Sequence, residues 1–383
     1  MNDDLRIGVI GSGGRGSLAR HAHRPGAGAR IVACCDIVDS VLASNRSDYG
    51  EDVFVTNDYR RLLEQPLDAV FICTPDNFHE EHALAALECV RGIYLEKPMA
   101  ITIDGCDRIL AKMHERDARL FVGHNMRYMA IFRKMRELIT TGAIGRVKSI
   151  WCRHFVSYGG DAYFRDWHSE RANTTGLLLQ KGAHDLDVIH WLAGAYATRV
   201  SAFGNLAVYG ECARRENLSP GHADVQTAHW PPHALVDLSP RIDIEDQSIV
   251  NMELAGGILA TYQQCHFTPD ACRNYVVIGD EGRLENYGDG PHDPIMLWNH
   301  RRHAWGEFQL IGDAVYHGEV SDNSGHGGAD STIVEEFLNY VRHGGATTAS
   351  PDAARMAVAT GYQATMSMRK GGIPLAIPPL PKT

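Results

Sequence analysis

No apolar run in this chain is long enough to cross a bilayer. No basic block stands out against a formal net charge of -10, so nucleic acid and acidic membrane surfaces are not expected partners. The nine cysteines form no CxxC pair and no regular framework. Most sit in apolar runs such as Ala33-Cys34-Cys35 and Phe71-Ile72-Cys73, which points to buried, reduced thiols in a cytoplasmic protein. Internal repeats and low-complexity segments are absent. The acidic start, Met1-Asn2-Asp3-Asp4-Leu5-Arg6, leads straight into a strand and carries no secretory pattern. What remains is an ordinary globular composition, 44% hydrophobic and 22% charged, on 383 residues. That is too long for one ordinary core, so two domains are expected, 1–125 and 126–383.

Arg6-Ile7-Gly8-Val9-Ile10 reads as a buried parallel strand, and Gly11-Ser12-Gly13-Gly14-Arg15-Gly16 follows at once. This is G-x-G-x-x-G ahead of a helix. Gly11 permits the tight turn, Gly13 lets a pyrophosphate approach the backbone, and Gly16 lets helix and strand pack closely. The helix start offers free N–H groups to phosphate. A second apolar run, Arg30 to Cys35, ends in Asp36, twenty residues after Gly16. A carboxylate there accepts the ribose hydroxyls and repels a 2′-phosphate. No arginine follows in Ile37-Val38-Asp39-Ser40, so NAD is expected rather than NADP.

Asp68 to Cys73 is another buried strand, ending in Thr74-Pro75-Asp76-Asn77-Phe78-His79. Loops at the carboxyl ends of parallel strands line the ligand crevice, so Thr74, Pro75, Asn77 and His79 are expected beside the cofactor. His79-Glu80-Glu81-His82 is not H-E-x-x-H and reads as a helix start. Gly92-Ile93-Tyr94-Leu95 is the next strand, with Glu96-Lys97-Pro98 at its carboxyl end. Proline restricts the backbone of Lys97, and an X-Pro bond is where a cis peptide is expected. Leu120 to His124 is a further strand, and Arg127 follows it, either as a substrate contact or as a structural ion-pair residue.

Taken together, the glycine loop, Thr74-Pro75, Glu96-Lys97-Pro98 and the later Lys181-Gly182-Ala183-His184-Asp185-Leu186-Asp187 resemble the Gfo/Idh/MocA family of sugar and inositol oxidoreductases, over nearly the whole chain. The resemblance implies an α/β protein: an N-terminal Rossmann dinucleotide-binding domain, then a C-terminal α+β domain with a large, mostly antiparallel open sheet. Alternating runs at 200–204, 248–254, 258–264 and 275–279 fit such a sheet. It also implies NAD as cofactor, held by Gly11, Ser12, Gly13, Gly14, Arg15, Gly16, Asp36, Thr74, Pro75, Asn77, His79, Glu96 and Lys97. Lys97 and His184 become the catalytic pair, with no metal. Lys97, Arg127, Trp167, Lys181, His184 and His326 are the expected contacts to a small carbohydrate. Subunit pairing into a dimer or tetramer is implied by the family.

One departure matters. Most of the family has an aspartate four residues before the histidine; here it is Gln180, which takes no proton at neutral pH. His184 and Asp187 share a helix face. Gly325-His326-Gly327-Gly328-Ala329-Asp330 introduces a helix from Ile333; His326 or Asp330 meets substrate hydroxyls, or the segment is an ordinary cap. Residues 210–245, with Cys212, His222, His229 and His233, match no zinc spacing and read as a long loop over the pocket or toward another subunit. The expected activity is an NAD-dependent oxidoreductase acting on a sugar, glycoside or cyclitol hydroxyl, the ring 3-hydroxyl of a glycoside included. The alternatives are a glycosidase that keeps NAD bound and a non-catalytic regulatory protein.

Overall fold

The computed structural model describes residues 4–217, 225–290, 292–301, 312–319 and 325–381. The chain divides into two compact units, Met1–Tyr128 with Asp322–Val358 and Leu380–Thr383, and Met129–Ser321 with Ala359–Pro379.

The first unit is built on six strands: β1 (Leu5–Ile10), β2 (Ala29–Cys35), β3 (Phe54–Thr56), β4 (Ala69–Ile72), β5 (Gly92–Leu95) and β6 (Arg119–Val122). They pair in the order β3-β2-β1-β4-β5-β6, and every pairing is parallel. β4 and β5 are buried along their whole length, as strands covered on both faces must be. The strand order reverses between β1 and β4, and ligands bind outside the carboxyl ends at such a point. Lys97-Pro98 is a cis peptide. The glycine loop runs into a helix, Gly14–Ala22, of the 3-10 type.

The division after residue 125 is not a single cut. The helix Ala329–His343 returns to the first unit and buries Ile333, Val334, Phe337 and Leu338 there. Phe337 meets the rings of Phe71, Tyr94 and Phe121 at 5.0, 5.5 and 5.8 Å. Those three rings lie side by side because Phe71 pairs with Tyr94 and Tyr94 with Phe121 across β4, β5 and β6.

The second unit holds a nine-stranded sheet: β7 (Val147–Phe155), β8 (Ala197–Asn205), β9 (Gln247–Leu254), β10 (Ile258–Cys265), β11 (Cys272–Gly279), β12 (Arg283–Asn286), β13 (Ile295–Trp298), β14 (Ala314–Tyr316) and β15 (Leu375–Ala376). The order is β14-β13-β12-β11-β7-β10-β9-β8-β15. β7 and β10 are parallel and the other pairings antiparallel, so the sheet is mixed, mostly antiparallel and open. Along β7, Ile150, Cys152 and His154 are buried while Trp151 is exposed, the period-2 alternation of a sheet covered on one face. The segment that carries His184 is two helices, Leu177–Gln180 and Gly182–Ala193, joined at Lys181.

The described residues of 210–245 pack into a core rather than running as a loose loop. Tyr209, Cys212, Leu235, Leu238, Ile242 and Ile244 form one buried cluster with Phe164 and Leu177. His229 Nδ1 lies 2.7 Å from Asp161. His222 falls outside the described residues.

Candidate active site

Gly11, at the end of β1, has φ +78; a Cβ there would come 2.9 Å from the Cys73 carbonyl and the Thr74 nitrogen. Glycine therefore lets the β1 turn run against the end of β4. At Gly16 a Cβ would stand 2.0 Å from the Gly11 oxygen, backbone that cannot swing aside. Gly16→Ala is expected to cost about 1–3 kcal/mol and to weaken NADH binding, read by urea unfolding and fluorescence titration. Ser12 is buried and accepts from Asn45. Nothing lies within 4 Å of a Cβ built on Gly14. The Gly13 N–H donates to Asp36 Oδ2 at 2.9 Å, and the Val38 N–H donates to Oδ1 at 3.0 Å. Asp36 is thus held at the loop with lone pairs to spare. The residues fit a dinucleotide: a cradle without side chains, and a carboxylate at the right strand end.

The crevice loops are less directly exposed than expected. His79 is 1% exposed, and its ring nitrogens lie 2.6 Å from the Pro98 carbonyl and 2.8 Å from the Thr74 carbonyl. It ties Thr74-Pro75 to Lys97-Pro98. Burial lowers its pKa. Thr74 Oγ1 pairs with His82. Pro75 leads into a 3-10 turn, Asp76–Phe78, that carries Asn77. Glu96 is buried and accepts the Lys97 N–H at 3.1 Å. From 92 to 100, Lys97 alone is not buried.

Arg15 does not stand open beside the glycine loop. Its Nε donates to Glu96 Oε1 at 2.7 Å, and Nη1 and Nη2 donate to Asp330 at 2.9 and 3.0 Å. His326, with φ +53, sets its Nδ1 3.1 Å from the same Asp330. Asp330 is therefore neither a plain cap nor turned to solvent. Burial alone would raise its pKa, but bonds from His326 and Arg15 hold it well below the carboxylate range. Arg127 is buried and donates to the Thr348 carbonyl at 2.6 Å, a structural contact.

In the second unit, Lys181 and His184 open the helix Gly182–Ala193, both half-buried. The Lys181 ammonium lies 5.5 Å from the Tyr163 ring centroid. Dense surroundings lower its pKa; Tyr158 acts the other way, and the Arg273 charge adds to the lowering. Tyr163 meets His168 edge-on at 5.3 Å, and Trp167 stacks on His168 at 3.7 Å. Asp166 holds His168 Nδ1 at 2.6 Å. Trp167 and Lys181 are thus linked through one aromatic cluster.

The sequence reading passed over the most connected acid. Asp185 is fully buried. Its Oδ2 accepts from His154 Nδ1 at 2.9 Å and Tyr262 at 2.8 Å; its Oδ1 accepts from Tyr275 at 2.5 Å and forms an ion pair with the Arg273 guanidinium, Nε at 2.9 Å. The available signal was period-2 burial: His154, Tyr262, Arg273 and Tyr275 lie on three adjacent strands, β7, β10 and β11. Pairing them needs the register, which the sequence does not state.

Two family models match the chain: the Gfo/Idh/MocA oxidoreductase family's NAD-binding Rossmann fold over residues 5–124, and its C-terminal alpha/beta domain over 136–377. The YteT protein of Bacillus subtilis (strain 168) is 25% identical over 331 residues, 76% of either chain. The inositol 2-dehydrogenase of Ralstonia nicotianae is 35% identical over 193 residues, 50% of this chain and 55% of that one. The chain thus spans about half the length of the inositol 2-dehydrogenases it matches. A levoglucosan dehydrogenase solved with NADH and levoglucosan has the same fold, with a TM-score of 0.78 at 18% identity over 98% of this chain and 100% of that one. The chain belongs to the Gfo/Idh/MocA family of oxidoreductases, and its first domain is that family's NAD-binding Rossmann fold.

Proposed function

We propose that the protein is an NAD-dependent dehydrogenase for a secondary hydroxyl, or its ketone, of a sugar, glycoside or cyclitol, with Lys97 and His184 as catalytic pair. The exposure of Lys97 carries this reading. It is the one accessible position in a buried stretch, at the carboxyl end of a strand in a sheet whose loops fit a dinucleotide. The inositol 2-dehydrogenases and the levoglucosan dehydrogenase among its relatives support the substrate class.

Bound NAD supplies the hydride acceptor. The Gly11–Gly16 backbone would hold its pyrophosphate and Asp36 its ribose hydroxyls. Ile37, 88% exposed beside Asp36, offers an apolar face to the adenine. His184 takes the hydroxyl proton, which suits a group of ordinary pKa about 6.5. The Lys97 ammonium stabilises charge developing on the substrate oxygen. Gln180 gives His184 no carboxylate; either His184 works without one or Lys181 supplies a different contact.

The test incubates purified protein with NAD and a panel of free sugars, inositols and glycosides, read by absorbance and mass spectrometry. NADH with a keto product supports the dehydrogenase and names its substrate class. Glycoside cleavage without net NADH makes it a glycosidase that retains NAD. Silence across the panel with NAD bound revives the regulatory reading or points to a substrate outside the panel. Preference for NADP would overturn the Asp36 argument alone.

A second copy of the chain is the proposed partner. The open sheet exposes Trp151, Phe203, Ile249, Leu259 and Ile278, an apolar face that pairing of sheets would cover. Sedimentation should give a dimer or tetramer. All nine cysteines are unpaired, which supports a reducing, cytoplasmic setting. No helix among the described residues is long and apolar enough to cross a membrane.

A further inference from the structure

We infer that Arg15 is a positioning residue for Lys97: gripped by Asp330, it claims the Glu96 carboxylate and so sets the charge felt by Lys97, rather than binding the dinucleotide. This rests on the catalytic role proposed for Lys97. The guanidinium spends Nε on Glu96 and both terminal nitrogens on Asp330, a bidentate grip with fixed geometry. Asp330 in turn is fixed by its helix. It lies one turn ahead of Val334 and two ahead of Phe337, both buried against the sheet.

Glycines make room for the arrangement. A Cβ on Gly325 would come 2.5 Å from Asp330 Oδ2. One on Gly123 would come 2.7 Å from the Tyr94 hydroxyl and 3.2 Å from Glu96 Cδ. Three separated motifs, the glycine loop, Glu96-Lys97-Pro98 and Gly325 to Asp330, are thereby one assembly.

The charges decide what it does. Glu96 is buried, and its two oxygens divide the work: Oε1 takes Arg15, with Tyr94 at 3.4 Å, and Oε2 takes the Lys97 N–H. The other titratable groups around it are Cys73, Tyr94 and His79. Burial pushes the thiol and the phenol far up, so both are neutral near pH 7; it also lowers the imidazole, while the Pro98 and Thr74 carbonyls act the other way. Arg15 sits on Oε1, and Oε2 holds the main chain of Lys97, the residue that bears the ammonium. His326 and Asp330 lie on the far side of the guanidinium. Removing Arg15 takes the guanidinium charge away from two carboxylates and favours a protonated Lys97. Removing the Asp330 charge does the reverse.

The chain has seven lysines, so Lys97 can be followed in protein labelled with 13C at lysine Cε and saturated with NADH. Its signal is identified by its loss in Lys97→Arg. Arg15→Gln should raise the Lys97 titration midpoint by about one pH unit, and Asp330→Asn should lower it by a smaller amount. Arg15→Lys should return it near the parent value. NADH affinity should stay within about threefold in all three. Midpoints that move in the same direction, or not at all, overturn the inference. So does a Lys97 unmoved in Arg15→Gln while NADH binding collapses, which makes Arg15 a cofactor ligand. Should Arg15→Gln not fold, Asp330→Asn and Arg15→Lys still give the sign. A Lys97→Ala variant with full turnover would sink the catalytic reading on its own, whatever the titrations give.

Discussion

Lys97→Ala is expected to lower turnover by about 10²–10³-fold, the loss typical of removing one donor that stabilises developing oxyanion charge. NADH affinity and stability should stay close to the parent's. The side chain is half-buried in a stretch whose other members carry the packing. The bond that fixes this segment to Glu96 uses the Lys97 main-chain N–H, which alanine keeps. Lys97→Arg should not rescue, because a planar fork does not replace a compact ammonium. His184→Asn should cost about 10²–10⁴-fold, the usual contribution of a general base. Steady-state turnover on the panel substrate, beside NADH titration, decides it. Unchanged turnover in Lys97→Ala removes this residue from the chemistry; lost NADH binding would make it a cofactor ligand instead.

The first unit was legible because its signals are local. A buried strand, three glycines at fixed spacing and an aspartate at the next strand's end lie within 36 residues, and each has a physical reason to be there. Glu96-Lys97-Pro98 is as local. What the sequence hid is long-range. Arg15 and Asp330 are separated by 315 positions, and nothing near either one names the other. The helix Ala329–His343 reads as amphipathic, but an apolar face does not say which core accepts it; three rings on β4, β5 and β6 do. His79 looked like a crevice residue because it ends a crevice loop. Its burial comes from turning toward two carbonyls of that loop and the next. Asp187 shares a helix face with His184, but the sequence does not show that Asp185, between them, holds His154, Tyr262 and Tyr275.

Asp185→Ala is expected to destabilise the second unit by about 3–5 kcal/mol, the range for removing one partner of a buried ion pair. The side chain is fully buried, and losing it takes the common acceptor from two tyrosine hydroxyls and His154 Nδ1 and the buried counter-charge from Arg273. Asp289 still holds Arg273 Nη1 at 2.7 Å, which argues for the lower end. Asp185→Asn keeps an acceptor and should cost less. The network also fixes a protonation state. His154 donates from Nδ1 to Asp185, and its Nε2 lies 3.2 Å from Arg273 Nη2, a donor, so the ring fits only when neutral. Burial, then the Arg273 charge, hold its pKa down to about 4. Between that value and about 6.5, the unfolded chain binds a proton that the folded one refuses. This share of the stability is therefore complete above about pH 6.5 and is lost as pH falls toward 4. Urea unfolding of the parent and of His154→Gln across that range isolates it: the parent should lose more stability on acidification than the variant. Equal losses would mean that His154 is not held neutral. The consequence reaches the chemistry, because Asp185 anchors the same first helical turn that carries His184. A loosened anchor should lower turnover at pH values where the fold still holds.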